Sequence, residues 1–268
     1  MSGKQHKREL RRQREAARAA ARRQDRRKTI QTMIVIAAVV VLGGVLVFVS
    51  VERPIPAGRA VSGTVPAIVR SDAPVACGAT EPANAAAPRP TFPGGPAQAL
   101  EPGMDYRAMI QTSCGQVVVD LAEQASPVAV NSFVFLARQQ FFDGLEIFRN
   151  AMTIGALQTG SGTNEATWDA GYTIPDELSS AALESYPPGA VAFANAGPNT
   201  SGSQFFFVYN DKFQLPPNYT KFGQVAEGLE VLQRIGAIPT SGAQGETPNE
   251  RIYIESVTIE SLPATGSQ

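Results

Sequence analysis

Histidine is almost absent: the 268 residues contain one, His6, inside the first ten positions. Downstream of it no Ser-His-Asp or Cys-His relay can be assembled, and no histidine-based metal site. Cysteine is nearly as scarce. Cys77 and Cys114 are too few for a zinc cage or an iron–sulfur cluster. Negative charge is scarce at the beginning of the chain. Residues 1–28 hold twelve Lys/Arg against Glu9, Glu15 and Asp25, which leaves eleven basic and twenty-one acidic residues for everything after them. The net charge of -1 therefore joins a tail near +9 to a remainder near -10.

One long apolar run is present. Ile30 to Val49 reads IQTMIVIAAVVVLGGVLVFV, twenty residues without a charge. At 1.5 Å per residue it spans about 30 Å, the thickness of a bilayer's hydrocarbon core. The apolar core of a cleaved secretory signal is shorter, about 7–15 residues, so the run is expected to be an uncleaved signal anchor, with the helix at 30–50. Twelve cations precede it and only Arg53, Arg59 and Arg70 follow nearby. The positive-inside rule then predicts a cytoplasmic tail (1–29) and an extracytoplasmic remainder, a single-pass protein of the cell membrane. Determining topology is enough to explain the basic run, and no nucleic-acid partner is expected.

Residues 51–103 are dominated by Ala, Pro, Gly and small polar residues, as in CGATEPANAAAPRPTFPGGPAQ. Such a stretch buries little apolar surface, and an extended or disordered tether is expected. Cys77 lies in it and Cys114 at the start of the folded part. Outside the membrane two cysteines tend to oxidise, so a Cys77–Cys114 bridge pinning the tether is a candidate.

From Met104 the texture changes. YRAMIQTSCGQVVVDLAE alternates around Cys-Gly, which predicts two strands and a turn. In SPVAVNSFVFLARQQ, Ser126 is a candidate N-cap with Pro127 at the first helical position, and Val130, Phe133, Val134 and Leu136 form the apolar face. Short β-rich segments follow (LEIFRNAM, GAVAFANA, SQFFFVYN, TKFGQVA), then a second helix in EGLEVLQRIGAI and a last strand in RIYIESVTIESL. Many short strands with two isolated helices predict a mainly β domain, a closed antiparallel barrel, over 104–262, with a short tail at 263–268. Acidic pairs such as Asp176-Glu177 read as solvated loop charges.

Three stretches carry a family resemblance. FANAGPNTSGSQFFF (Phe193–Phe207), VNSFVFLARQQFFDGLEIFRN and NYTKFGQVAEGLEVLQRI are similar, in this order, to the cyclophilins; with the anchor and tether the chain looks closest to membrane-bound actinobacterial members. The resemblance implies an eight-stranded antiparallel closed barrel capped by two helices. It implies a peptidyl-prolyl cis/trans isomerase needing neither metal nor organic cofactor. Its partners would be proline-containing peptides or unfolded secreted and envelope proteins, and a monomer is expected. Arg149 stands at the catalytic arginine position. Phe206 stands at the floor of the proline pocket, with Ile154, Leu215 and Gly155 at its walls. Asn195 is placed to engage the substrate carbonyl, Ala194 and Ala196 to line the next subsite, and Gln158 and Gln204 to hold the peptide and buttress the arginine. Tyr219 replaces a rim histidine found in many relatives. The family's Phe-Met-x-Gln stretch reads Ile154-Gly155-Ala156-Leu157-Gln158 here, which removes a ring and a thioether from the wall and leaves slack. Gln214 replaces a tryptophan that binds cyclosporin. A non-catalytic peptide-binding or scaffolding module is therefore the alternative expectation.

Overall fold

A computed structural model describes residues 68–167, 170–179, 186–212 and 216–264. The chain divides into Met1–Gly63 and Thr64–Gln268, and every described residue belongs to the second unit. Among the described residues no helix is long and apolar enough to cross a membrane. The expected span at 30–50 lies outside them, as do the basic tail, residues 51–67 of the expected tether, and residues 265–268.

Eight strands form one antiparallel sheet: β1 (Met104–Thr112), β2 (Gly115–Leu121), β3 (Arg149–Ala151), β4 (Ala156–Thr159), β5 (Ala190–Phe193), β6 (Phe205–Val208), β7 (Lys221–Glu227) and β10 (Ile254–Pro263). The spatial order is β10-β1-β2-β7-β5-β6-β4-β3. Two-residue strands β8 (Thr240–Ser241) and β9 (Thr247–Pro248) make a separate hairpin. The expectation of a closed barrel is corrected, because β10 and β3 are not joined by a ladder. Only the isolated Glu146–Tyr253 bridge and a few backbone bonds, such as Ile147 N to Ile252 O at 2.8 Å, connect the two edges. Three residues of β3 are too few to continue the pairing.

Helix α1 (Pro127–Arg138) buries the four apolar residues of the expected face. Phe133 lies at its centre, 5.2 Å from the Phe142 ring, 5.5 Å from Phe205 and 5.0 Å from Phe222. Helix α2 is Leu229–Gly236 and buries Val231, Leu232 and Ile235. The capping of α1 differs from expectation. Ser126 holds the N-cap position, but its hydroxyl donates to the Lys221 carbonyl at 2.8 Å. Glu177 caps instead, its two carboxylate oxygens accepting from Val128 N at 3.1 Å and Ala129 N at 2.9 Å. A carboxylate at the positive end of the helix is favoured electrostatically. Glu177 is thus structural rather than a free loop charge, and Asp176 accepts from Asn199 N at 2.8 Å.

The larger correction concerns the tether. Residues 68–103 pack on the domain as a strap. Ala76 and Ala85 are buried, and Cys77 is disulfide-bonded to Cys114 across 37 residues. Arg251 accepts the strap with its backbone and its side chain. Its N–H donates to Pro74 O at 2.8 Å, its Nε to Ala73 O at 2.7 Å and its Nη1 to Glu81 at 2.7 Å. Arg89 is 5% exposed and its Nη2 donates to Asp143 O at 2.5 Å. Phe92 stacks edge-on against Phe135 of α1 with ring centroids 5.0 Å apart.

Candidate active site

Strand register builds the site. Arg149 pairs with Gln158 across β3–β4, Gln158 with Phe206 across β4–β6, and Phe206 with Ala192 across β5–β6. Directly paired residues of an antiparallel sheet project to the same face about 5 Å apart. One transverse row therefore carries the cation, the amide, the aromatic ring and a small residue in sequence. The opposite face of β6 sends Phe205 and Phe207 into the main core, while Phe206 and Val208 join a second cluster with Ala156, Ala190, Ala192 and Tyr186. Both faces of these strands are covered. That is why FFFV and AVAF are continuous apolar runs instead of alternating ones.

The polar side of the row is fully connected. Arg149 Nη1 donates to Gln158 Oε1 at 2.9 Å, Gln158 Nε2 to Gln204 Oε1 at 2.9 Å, and Gln204 Nε2 to the Ala166 carbonyl at 3.0 Å. Gln158 is 9% exposed, so its amide is held in one orientation by partners at both ends. Arg149 Nε and Nη2 also donate to the two carboxylate oxygens of Glu246, at 2.6 and 3.3 Å.

The apolar side is a small aromatic box. Phe206 lies 5.3 Å from Tyr219 and 6.3 Å from Tyr186, centroid to centroid. Tyr186 OH donates to Tyr219 O and accepts from Tyr219 N, both at 2.9 Å. Burial pushes this phenol above its ordinary pKa, so it stays protonated and able to donate. Beyond the box, Asn195 Nδ2 donates to Asn218 O at 2.8 Å, which ties the Ala194–Ala196 turn to the segment carrying Tyr219.

Arg149, Ile154, Gln158, Ala194, Asn195, Ala196, Gln204, Phe206 and Tyr219 all line one groove of ≈ 700 Å³. The structure brings these nine sequence-predicted residues together. Leu215 and Gln214 lie outside the described residues. Gly155 is not on the lining. It has φ +68°, and a Cβ there would collide with the Asn210 side chain. A turn between β3 and β4 requires this glycine, so the expected slack in the wall is corrected to a tight contact. Sequence reasoning missed Tyr186 and Glu246. Neither lies in a family-like block, and each reaches the site from a distant loop. Among the described residues no group of three or more His, Cys, Asp or Glu is arranged to hold a metal ion.

A curled antiparallel sheet with an outer groove, floored by an aromatic ring and flanked by a buttressed arginine, defines a β-domain of cyclophilin type. The chain belongs to the cyclophilin type peptidyl-prolyl cis-trans isomerase family, whose model matches residues 107–259. It is 38% identical over 173 residues to a Mycobacterium leprae protein named "Probable peptidyl-prolyl cis-trans isomerase B", covering 58% of this chain and 55% of that one. A Mycobacterium tuberculosis protein of the same name is 37% identical over 163 residues, 56% of this chain and 53% of the relative. The chain thus spans about half the length of these two relatives. It covers 96% of the Gallus gallus "Peptidyl-prolyl cis-trans isomerase-like 3" at 31% identity, over 58% of its own length. Among solved structures it resembles a Cryptosporidium parvum cyclophilin type peptidyl-prolyl cis-trans isomerase. The TM-score is 0.54 at 26% identity, over 59% of this chain and 99% of that one.

Proposed function

We propose that the domain catalyses cis/trans isomerisation of Xaa-Pro bonds in polypeptides outside the cytoplasm, assisting their folding, while the Ile30–Val49 segment anchors it in the membrane. The observation that carries the reading is the Arg149–Gln158–Phe206 row, a fixed cation two positions from an apolar floor. Amide resonance holds the prolyl bond planar behind a barrier of roughly 18–20 kcal/mol. In the twisted geometry the prolyl nitrogen regains a lone pair. A donor aimed at that nitrogen stabilises the twisted bond and does nothing for the planar one, so it lowers the barrier. Arg149 suits the role because a guanidinium is always charged and presents donors in a rigid fork. Phe206 with Ile154 and Tyr219 takes the proline ring. The backbone at Asn195, between Ala194 and Ala196, takes the preceding residues. A structure of the Cryptosporidium parvum relative was obtained in the presence of the dipeptide Ala-Pro, which is the substrate class this groove would hold.

The test is prolyl isomerisation of a short Xaa-Pro peptide by the full chain and by Arg149→Ala. Loss of one preorganised donor is expected to lower the rate about 10²-fold. A folded parent without turnover would leave a peptide-binding module. Membrane topology is tested separately, by protease added outside intact cells. Cleavage within residues 104–262 is expected, and protection of that segment would reverse the orientation.

A further inference from the structure

Glu246 belongs to the β8–β9 turn, 97 residues from Arg149 in sequence, yet it makes the shortest hydrogen bond that the arginine has. The geometry is side-on: Nε to Oε2 at 2.6 Å and Nη2 to Oε1 at 3.3 Å. Main-chain bonding fixes the carboxylate's own position. The Asn150 N–H, on the residue after Arg149, donates to the Glu246 carbonyl at 2.8 Å. Asn150 is fully buried, its amide donating to Gly236 O at 3.0 Å and accepting from Tyr209 OH at 3.1 Å. The turn is closed behind Glu246 by Thr240 Oγ1 donating to Gly245 O at 2.5 Å.

We propose that Glu246 is the positioning residue of the catalytic guanidinium, an inference that rests on the role given to Arg149 above. A guanidinium has five N–H donors. Glu246 takes two and Gln158 a third, on different nitrogens, so the plane is fixed from two sides. One N–H remains on each terminal nitrogen for the substrate. The Arg149 side chain is 39% exposed, and an ion pair so open to water adds little to stability. What the pair fixes is the direction of the fork. A free arginine samples many rotamers, and only a few aim a donor at the bound prolyl nitrogen. The carboxylate touches the arginine and not the groove, since Glu246 is absent from the groove lining. Its removal therefore acts on the twisted state and leaves ground-state binding alone.

The experiment uses the full chain and NMR exchange on a short Ala-Pro peptide, which separates kcat from KM. Glu246→Ala is expected to lower kcat about tenfold with KM within about twofold. Glu246→Gln should fall between it and the parent, because the amide oxygen still accepts one N–H. Adding Glu246→Ala to Arg149→Ala should cost nothing further, and Glu250→Gln, on the neighbouring surface, should behave as the parent. A second readout needs no turnover: hydrogen exchange of the Arg149 Nε–H, slow in the parent and fast in Glu246→Ala. Unchanged exchange, a loss confined to KM, or losses that multiply with Arg149→Ala would each overturn the proposal. If Arg149→Ala itself keeps the parent rate, the role of the arginine fails first and the positioning role with it. If Arg149→Ala loses activity while Glu246→Ala does not, only the positioning role fails.

Discussion

Tyr186 is nearly sealed from solvent, and its hydroxyl bonds both the N–H and the C=O of Tyr219. Replacing it with Phe keeps the ring against Phe206 and removes both bonds, leaving a Tyr219 N–H and C=O to find water. The cost is expected to be about 1–3 kcal/mol of stability, read as a lower denaturation midpoint. The catalytic side should show the change as a KM several-fold higher with kcat nearly kept, since Tyr219 walls the pocket and Arg149 is untouched. Equal loss in kcat would mean that the Tyr219 segment helps stabilise the twisted bond. Residues of this kind mark the boundary of what the sequence discloses. Arg149, Phe206, Gln158 and Asn195 were assigned through the family resemblance, since local periodicity carries strand and turn but no role. Tyr186 and Glu246 act across loops, and no local periodicity reports which loop meets which.

At the scale of elements, both helices and seven of the strands were legible from apolar spacing and from short β-rich runs, whereas β4 and the two-residue strands β8 and β9 are too short and too plain in composition to be read. The strap at 68–103 was not. It has few large apolar residues, so composition alone assigns it to the solvent. What holds it is main-chain pairing with Arg251, the buried Arg89, and one covalent bond to Cys114. None of these contributions scales with apolar content. Replacing both Cys77 and Cys114 by Ser should therefore cost about 2–4 kcal/mol, the ordinary worth of a disulfide. The denaturant midpoint should fall, and reduction of the parent should reproduce the shift. At ambient temperature the prolyl groove should keep its turnover, because the strap does not line it. An unchanged midpoint would show that the noncovalent contacts alone fix the strap. The same logic explains the sheet edges: they stay without a ladder because β3 is only three residues long, a length that no hydropathy pattern specified.

At the scale of the described molecule, three carboxyls, Asp143 buried and Glu146 and Glu123 half-buried, bias stability in one direction. Burial raises the pKa of Glu146, Asp143 and Glu123, in each case against smaller opposing contributions. For Glu146 these come from Arg251, from the Tyr253 hydroxyl and from Arg70; for Asp143, from the Val257 N–H and Arg89. Glu146 Oε1 and Glu123 Oε2 are buried without a hydrogen-bond partner, which is the geometric origin of the penalty on their charged forms. A carboxyl whose folded pKa lies above its unfolded one binds a proton more readily in the native state. Its contribution to stability is then fully present below the unfolded value and is lost as pH rises through the folded one. The window runs from the ordinary carboxylate range near pH 4 upward to the raised values. The urea midpoint should accordingly rise as pH is lowered from about 7.5 to about 5, the reverse of a protein held by carboxylate salt bridges. Glu146→Gln keeps an acceptor for Tyr253 and removes the charge. It should raise the midpoint at neutral pH and flatten the slope, and a midpoint that instead falls steadily on acidification, with the variant parallel to the parent, would mean that burial at Glu146 carries no net cost.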